Sequence, residues 1–160
     1  MEKKIAATYG HKVRVRVCGI CLDGNSILLI RHRGLGAEGE LWLPPGGGVE
    51  YLENSESALK REFKEETGLD IVVNQFLFCN EYIGEPLHAL ELFFEVKVIG
   101  GKLVKGKDPE HESTDQIITE VKFVTFKEIE VINKDKLHGC MRNLSDVESL
   151  LNMRGYFKFC

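Results

Sequence analysis

Glu62, Glu65 and Glu66 crowd into one short stretch, Ser55 to Leu69, that reads SESALKREFKEETGL. At about 100° per residue, with Ala58 as zero, Glu62 falls at about 40°, Glu66 at about 80° and Glu65 at about 340°. The three acids therefore share an arc of about 100°. Leu59 and Phe63 lie beside that arc and can face a core, whereas Lys60 and Lys64 point to solvent. Such a strip is costly alone, because like charges at i and i+4, as in Glu62 and Glu66, destabilise a helix by about 0.2–0.5 kcal/mol. Arg61 can relieve Glu65 one turn on but cannot reach all three acids. A hard divalent cation would remove the repulsion, since Mg²⁺ takes oxygen ligands and is commonly held by carboxylates together with substrate phosphates. Most acidic helix faces are simply solvated. Here the acids flank the apolar stripe instead of opposing it, and a glycine-rich turn, Pro45-Gly46-Gly47-Gly48, precedes them. Both features favour a metal site.

The segment from Gly47 to Leu69 resembles the Nudix box, Gly-x5-Glu-x7-Arg-Glu-U-x-Glu-Glu-x-Gly-U, where U is a bulky apolar residue. Gly47, Glu53, Arg61, Glu62, Glu65, Glu66 and Gly68 fill every fixed position, with Phe63 and Leu69 at the U positions. Trp42-Leu43-Pro44-Pro45-Gly46-Gly47 is similar to the family's approach to the box, with one extra proline, and Glu50 matches a glutamate often found inside it. Leu52 departs from the glycine frequent just before Glu53; the change alters the loop without removing a ligand.

The resemblance implies hydrolysis of a nucleoside diphosphate linked to another moiety. It also implies that Glu62 and Glu66 hold Mg²⁺ or Mn²⁺, with the Gly47 carbonyl completing the set, Glu65 as a further ligand or the residue that polarises a water, and Glu53 serving a bound water or a second ion. Arg61 would orient Glu65 through a charge-assisted hydrogen bond. The cation would neutralise phosphate oxygens and lower the pKa of the attacking water. In this family the general base is a box glutamate or one from a downstream loop. Glu66, Glu112 and Glu120 are the candidates, with Glu66 ranked first. Arg31 and Arg33, in the basic run Arg31-His32-Arg33, are candidate phosphate or ribose contacts, because guanidinium matches phosphate oxygens. Glu112 is a further candidate on the substrate side. Trp42 reads as a core residue or as the lip of a base pocket.

The 160 residues suit one domain, 1–160, and 43% hydrophobic with 29% charged residues is ordinary for a globular chain. A net charge of −4 argues against a general nucleic-acid binder, although a bound metal can invert the local sign. No apolar run reaches the ~18 residues of a membrane span, and Met1-Glu2-Lys3-Lys4 lacks the apolar stretch of a signal peptide. Five cysteines, an odd number, fit reduced thiols and a cytoplasmic setting. Cys18 and Cys21, three apart on a strand, would face opposite sides, which suits buried structural thiols and not a redox or zinc pair. A homodimer stays open, dimers being the commonest assembly.

The elements that must position these residues follow from pattern. Residues 1–11 read as a loose lead-in or short strand. Val13 to Leu22, Ser26 to His32, Ile71 to Asn80, His88 to Ile99 and Ile117 to Thr125 read as strands. Asp23-Gly24-Asn25 turns the first two into a hairpin, and Gly84 with Pro86 turns the middle pair. Gly34 to Glu40 and Lys105 to Asp115 read as loops. Asn54 or Ser55 caps the box helix and Gly68 stops it. Phe126 to Glu130 suggests a helical turn, and Leu144 to Leu151 a final helix capped by Ser145. The expected architecture is an α/β (α+β) fold, a mixed β-sheet within an α/β/α sandwich, and the Nudix resemblance entered that choice.

Substrate identity is less legible. Pro86 lies 17 residues beyond Leu69, close to where ADP-ribose-type members carry a proline. Turns attract proline anyway, and the chain suits a nucleoside-triphosphate pyrophosphohydrolase equally. A nucleotide-sugar pyrophosphatase and a catalytically silent nucleotide-binding module complete the alternatives. The box has lost no acid, which disfavours the last.

Overall fold

A computed structural model describes residues 10–106 and 116–159. The lead-in and the acidic loop, with His111 and Glu112, lie outside the described residues. Alternating Val-Arg-Val-Arg-Val builds β1 (Val13–Ile20), which continues past Cys21 into the short β2 (Leu22–Asp23). The turn at Asp23-Gly24-Asn25 places a positive φ of 56° on Gly24 and returns the chain as β3 (Ser26–Arg33). β4 (Glu40–Leu43) and β5 (Gly46–Gly48) lead to helix α1 (Ser55–Thr67). The long strands β6 (Leu69–Gly84) and β7 (Leu87–Gly101) follow, then β8 (Ile118–Thr125), α2 (Phe126–Val131), α3 (Ser149–Asn152) and β9 (Gly155–Phe157).

These strands form two sheets where one was expected. The first is mixed, in the order β5-β1-β7-β6-β9, with β1 parallel to β7 and β6 parallel to β9. The second is antiparallel and centred on β3, which pairs with β2 and β4 on one edge and β8 on the other. The bend between β1 and β2 carries one strand's path into both sheets, so the first hairpin joins them.

Apolar residues alternate to both sides of the sheets. Val17, Cys21, Leu28, Leu69, Ile71 and Val96 meet Ala58, Leu59 and Phe63 of α1. Cys18, Ile20, Ile27, Leu29, Phe78 and Phe93 meet Ile129, Leu137, Met141, Val147 and Leu150 from the C-terminal segment. The result is the expected sandwich, with α1 on one side and short helices on the other. Cys18 and Cys21 accordingly fall in different clusters. Phe63 is fully buried, and any side chain on Gly19 would collide with its ring. Truncating Phe63 to alanine should cost about 3–5 kcal/mol.

The final helix is shorter and later than the expected Leu144–Leu151. Asp146 accepts a 2.7 Å hydrogen bond from Ser149 N–H, which makes Asp146 the turn-forming side chain and delays the helix to Ser149.

Candidate functional site

Helix α1 starts where Asn54 Oδ1 accepts from Ser57 N–H at 2.9 Å. It ends where Gly68, at φ 74°, donates its N–H to the Lys64 carbonyl at 3.0 Å. These caps fix which edge of the helix faces β5. Beneath that edge run Gly46, Gly47 and Gly48, paired with Cys18, Val17 and Arg16 of β1. A Cβ on Gly46 would strike the Val17 carbonyl, and one on Gly47 would strike the Glu62 carboxyl group. The glycines therefore let backbone lie directly against the acids. The usual glycine position before Glu53 is filled by Leu52, held at a left-handed φ of 67° with its side chain 89% exposed.

Arg61 organises the acidic edge. Its Nε and Nη2 donate to the two oxygens of Glu53, each at 2.9 Å, in a bidentate pair. Nη1 donates to Glu62 at 2.9 Å and to Glu65 at 3.4 Å, and Nη2 also donates to the Gly48 carbonyl at 3.1 Å. Arg61 thus reaches Glu53, Glu62 and Glu65 but makes no hydrogen bond to Glu66 among the described residues. The Arg61 guanidinium holds the Glu53 carboxyl below the usual carboxylate range. Glu62 goes the other way: burial raises it, and the attraction of Arg61 only partly offsets the rise. Glu66 is buried, and its Oε2 accepts a 2.8 Å hydrogen bond from Gly46 N–H. Its Oε1 lies 3.9 Å from His32 Nε2, a buried imidazole on β3.

The donor chemistry of this edge, four carboxylates and a backbone turn with no thiol, suits a hard cation. Among the described residues, no three acids or histidines already converge as a finished metal centre.

Beside the glycine turn lies a cavity of about 360 Å³. Leu41, Leu43 and Leu137 supply apolar wall, and Arg16, Glu91 and His138 supply polar groups. Arg16 Nη2 donates to the Gly46 carbonyl at 3.4 Å, so one residue borders both the cavity and the turn under Glu66. Glu91 is buried and accepts from Asn80 Nδ2 and from His138 Nε2, each at 2.9 Å. Burial alone would raise the Glu91 carboxyl; His138, Arg16 and Asn80 outweigh it and hold it at about 2.

Arg31, Arg33, Trp42 and Glu120, singled out in the sequence, lie elsewhere. Arg31 Nε donates to Thr119 at 3.1 Å, its guanidinium lies 3.5 Å from Glu120, and it stacks over Trp42. Strand alternation puts Arg31, and with it Glu120, on the face of the second sheet opposite His32 and Glu66. Arg33 is exposed, and neither arginine lines the cavity. Trp42 is core, 6% exposed, with Arg31 and Lys122 both 5.5 Å from its ring centre. His88 lines the cavity and contacts Glu81 at 3.0 Å. Sequence reasoning missed His32, Arg16, Glu91 and His138. A signal existed for two of them. Arg14 and Arg16 alternate with valines on one face of β1, and Glu91 shares the buried phase of β7 with Ala89 and Phe93.

Two curated relatives match. An ADP-ribose pyrophosphatase of Methanocaldococcus jannaschii is 40% identical over 96 residues, 59% of this chain and 56% of that protein. An 8-oxo-dGTP diphosphatase of Buchnera aphidicola is 39% identical over 66 residues, 41% of this chain and 51% of that protein. The chain thus spans about half the length of the curated relatives it matches. Among solved structures, a UDP-X diphosphatase superposes with a TM-score of 0.62 at 17% identity, over 98% of this chain and 72% of the other. A NUDIX hydrolase from Nitrosomonas europaea gives 0.60 at 21% identity, over 74% and 76%. These likenesses concern the fold. No helix among the described residues is long and apolar enough to cross a membrane. The NUDIX domain family matches residues 10–146, a span that takes in the glycine turn, the acidic helix and most of the cavity lining, and the chain belongs to that family.

Proposed function

We propose that this protein hydrolyses a pyrophosphate bond in a nucleoside diphosphate linked to another moiety, with Mg²⁺ or Mn²⁺ as cofactor. The observation that carries the reading is continuity: the acidic edge of α1, the Gly46–Gly48 turn and the cavity are joined through Glu66, Gly46 and Arg16. Glu62, Glu65 and Glu66 would hold the cation with the Gly47 carbonyl, and Glu53 stands behind Arg61. When bound, the cation would neutralise phosphate oxygens and acidify water. Phosphoryl chemistry of this kind depends mainly on positioning and electrostatics. Arg61 fixes the carboxylates so that they share one edge without flying apart. Glu66, buried and pinned by Gly46 N–H, is the residue we assign to accept the proton of the attacking water. Glu120, on the far face of the second sheet, has no such position.

The ADP-ribose and 8-oxo-dGTP activities named for the two curated relatives support a small nucleotide substrate. The test is a panel of ADP-ribose, nucleotide sugars, nucleoside triphosphates and 8-oxo-dGTP, incubated with Mg²⁺ in ¹⁸O-water and resolved by anion exchange and mass spectrometry. Cleavage at the pyrophosphate, with ¹⁸O in one phosphate product, is expected from wild type. It should fall about 10³-fold in Glu66→Gln. Turnover of no compound by wild type, with Glu66→Gln no different, would favour a silent binding module, whereas equal measurable rates in both proteins would remove Glu66 from the proton transfer.

A further inference from the structure

We infer that Arg16 and Glu91 are specificity-determining residues that read the lactam edge of a nucleobase, an N–H beside a C=O, in the cavity. The inference rests on the proposed nucleotide reading of the site. Its support is the state of two polar groups at the cavity wall, the buried Glu91 carboxylate and the partly buried Arg16, whose Nε is enclosed. Glu91 Oε2 already accepts two hydrogen bonds, from Asn80 and His138. Oε1 lies 3.9 Å from Arg16 Nη1, beyond hydrogen-bond range. No hydrogen bond to Oε1 is found among the described residues. Arg16 Nε is itself buried and has no hydrogen-bond partner among the described residues. Leaving a buried donor unsatisfied costs about 1–3 kcal/mol, more for a charged group. A fold that only needed structure here could have used a shorter apolar residue. Both side chains line the cavity, and Arg16 also reaches the Gly46 carbonyl beside the acidic edge.

The chemistry of the pair selects the ligand. Glu91 stays ionised at neutral pH, so it can only accept; Arg16 can only donate. A ligand satisfying both must present a donor next to an acceptor. The lactam edges of guanine, hypoxanthine and uracil do so with an acidic ring N–H for the carboxylate. They also offer a carbonyl oxygen for the guanidinium. Adenine and cytosine offer a less acidic amino group and a ring nitrogen, a poorer match on both sides. The apolar wall of Leu41, Leu43 and Leu137 suits the faces of a planar ring.

The test is calorimetric binding of non-hydrolysable α,β-methylene diphosphates of guanosine, uridine, adenosine and cytidine to the full chain. Wild type should bind the lactam pair about 10–100-fold more tightly than the amino pair. Glu91→Gln, which replaces one acceptor oxygen by a donor, should shrink that ratio to within a few-fold. Arg16→Lys, which keeps the charge but loses Nε, should do the same by weakening lactam binding, and it covers the case in which Glu91→Gln fails to fold. Equal affinity of wild type for all four, a preference for the amino pair, or a ratio unchanged in Arg16→Lys would overturn the inference. Hydrolysis without base discrimination leaves the enzymatic reading intact, whereas discrimination without hydrolysis removes that reading and keeps the pocket assignment.

Discussion

Replacing Arg61 by alanine should lower stability by about 2 kcal/mol in metal-free buffer. The figure lies between two limits. Exposed ion pairs are worth about 0.2–1 kcal/mol, whereas breaking a fully buried pair costs about 3–5 kcal/mol. The Arg61 side chain is 26% exposed and Glu62 12%, which places the cluster between those limits. The bidentate contact to Glu53 at 2.9 Å and the 2.9 Å contact to Glu62 hold most of the interaction. The 3.4 Å contact to Glu65 adds less. Without Arg61, three carboxylates face one another unscreened. For a domain of this size, about 2 kcal/mol corresponds to a melting shift of about 4–8 °C. Differential scanning fluorimetry in EDTA measures that shift directly. Mg²⁺ should also raise the melting temperature of Arg61→Ala by more than it raises that of wild type, because the freed acids need a cation more. Arg61→Lys should recover only part of the loss, since an ammonium cannot grip Glu53 with two parallel donors. A melting temperature of Arg61→Ala equal to wild type in EDTA, or equal Mg²⁺ shifts in both proteins, would refute this account of the edge.

Three further expectations concern other parts of the site. Gly47→Ala should cut turnover about 10²-fold, because the new methyl displaces the Glu62 carboxyl group; steady-state kinetics alongside circular dichroism separates this from misfolding. Leu52→Gly should stabilise the protein by about 1 kcal/mol, since a left-handed φ strains any residue with a Cβ and the exposed side chain contributes little packing; urea unfolding reads the gain. Glu91, held at about 2 against an ordinary 4.5, contributes stability that is complete above about 4.5 and disappears as pH falls toward about 2. Urea titrations across that window should show a loss of about 3 kcal/mol in wild type that Glu91→Gln lacks.

The helix and its acids were legible because they are local. Periodicity over Ser55–Thr67 fixed which side chains share an edge, and Asn54 and Gly68 carry cap chemistry that short-range sequence reveals. The strands were legible from alternation, although β6 and β7 run on to Gly84 and Gly101 because pairing between them continues beyond the apolar runs. The division into two sheets was not legible, since nothing in Val13–Leu22 marks where the chain bends from one sheet into the other. The cavity was hidden for the same reason at longer range. Arg16, Glu91 and His138 come from β1, β7 and the C-terminal segment, and only tertiary pairing brings them together. A charged residue in a buried strand phase, as Glu91 is, was the available clue. Arg31 drew attention as a basic strand end, but its partners Thr119, Glu120 and Trp42 give it a place in the second sheet.

In the proposed reaction the carboxylates along α1 grip a divalent cation. Mn²⁺ binding followed by electron paramagnetic resonance tests it most directly, with wild type compared against the Glu62→Gln/Glu66→Gln double variant in the presence and absence of a non-hydrolysable nucleoside diphosphate. Wild type should bind Mn²⁺, more tightly with the nucleotide, and the double variant should lose that binding while keeping its circular dichroism spectrum. Equal Mn²⁺ affinity in the two folded proteins would contradict the account.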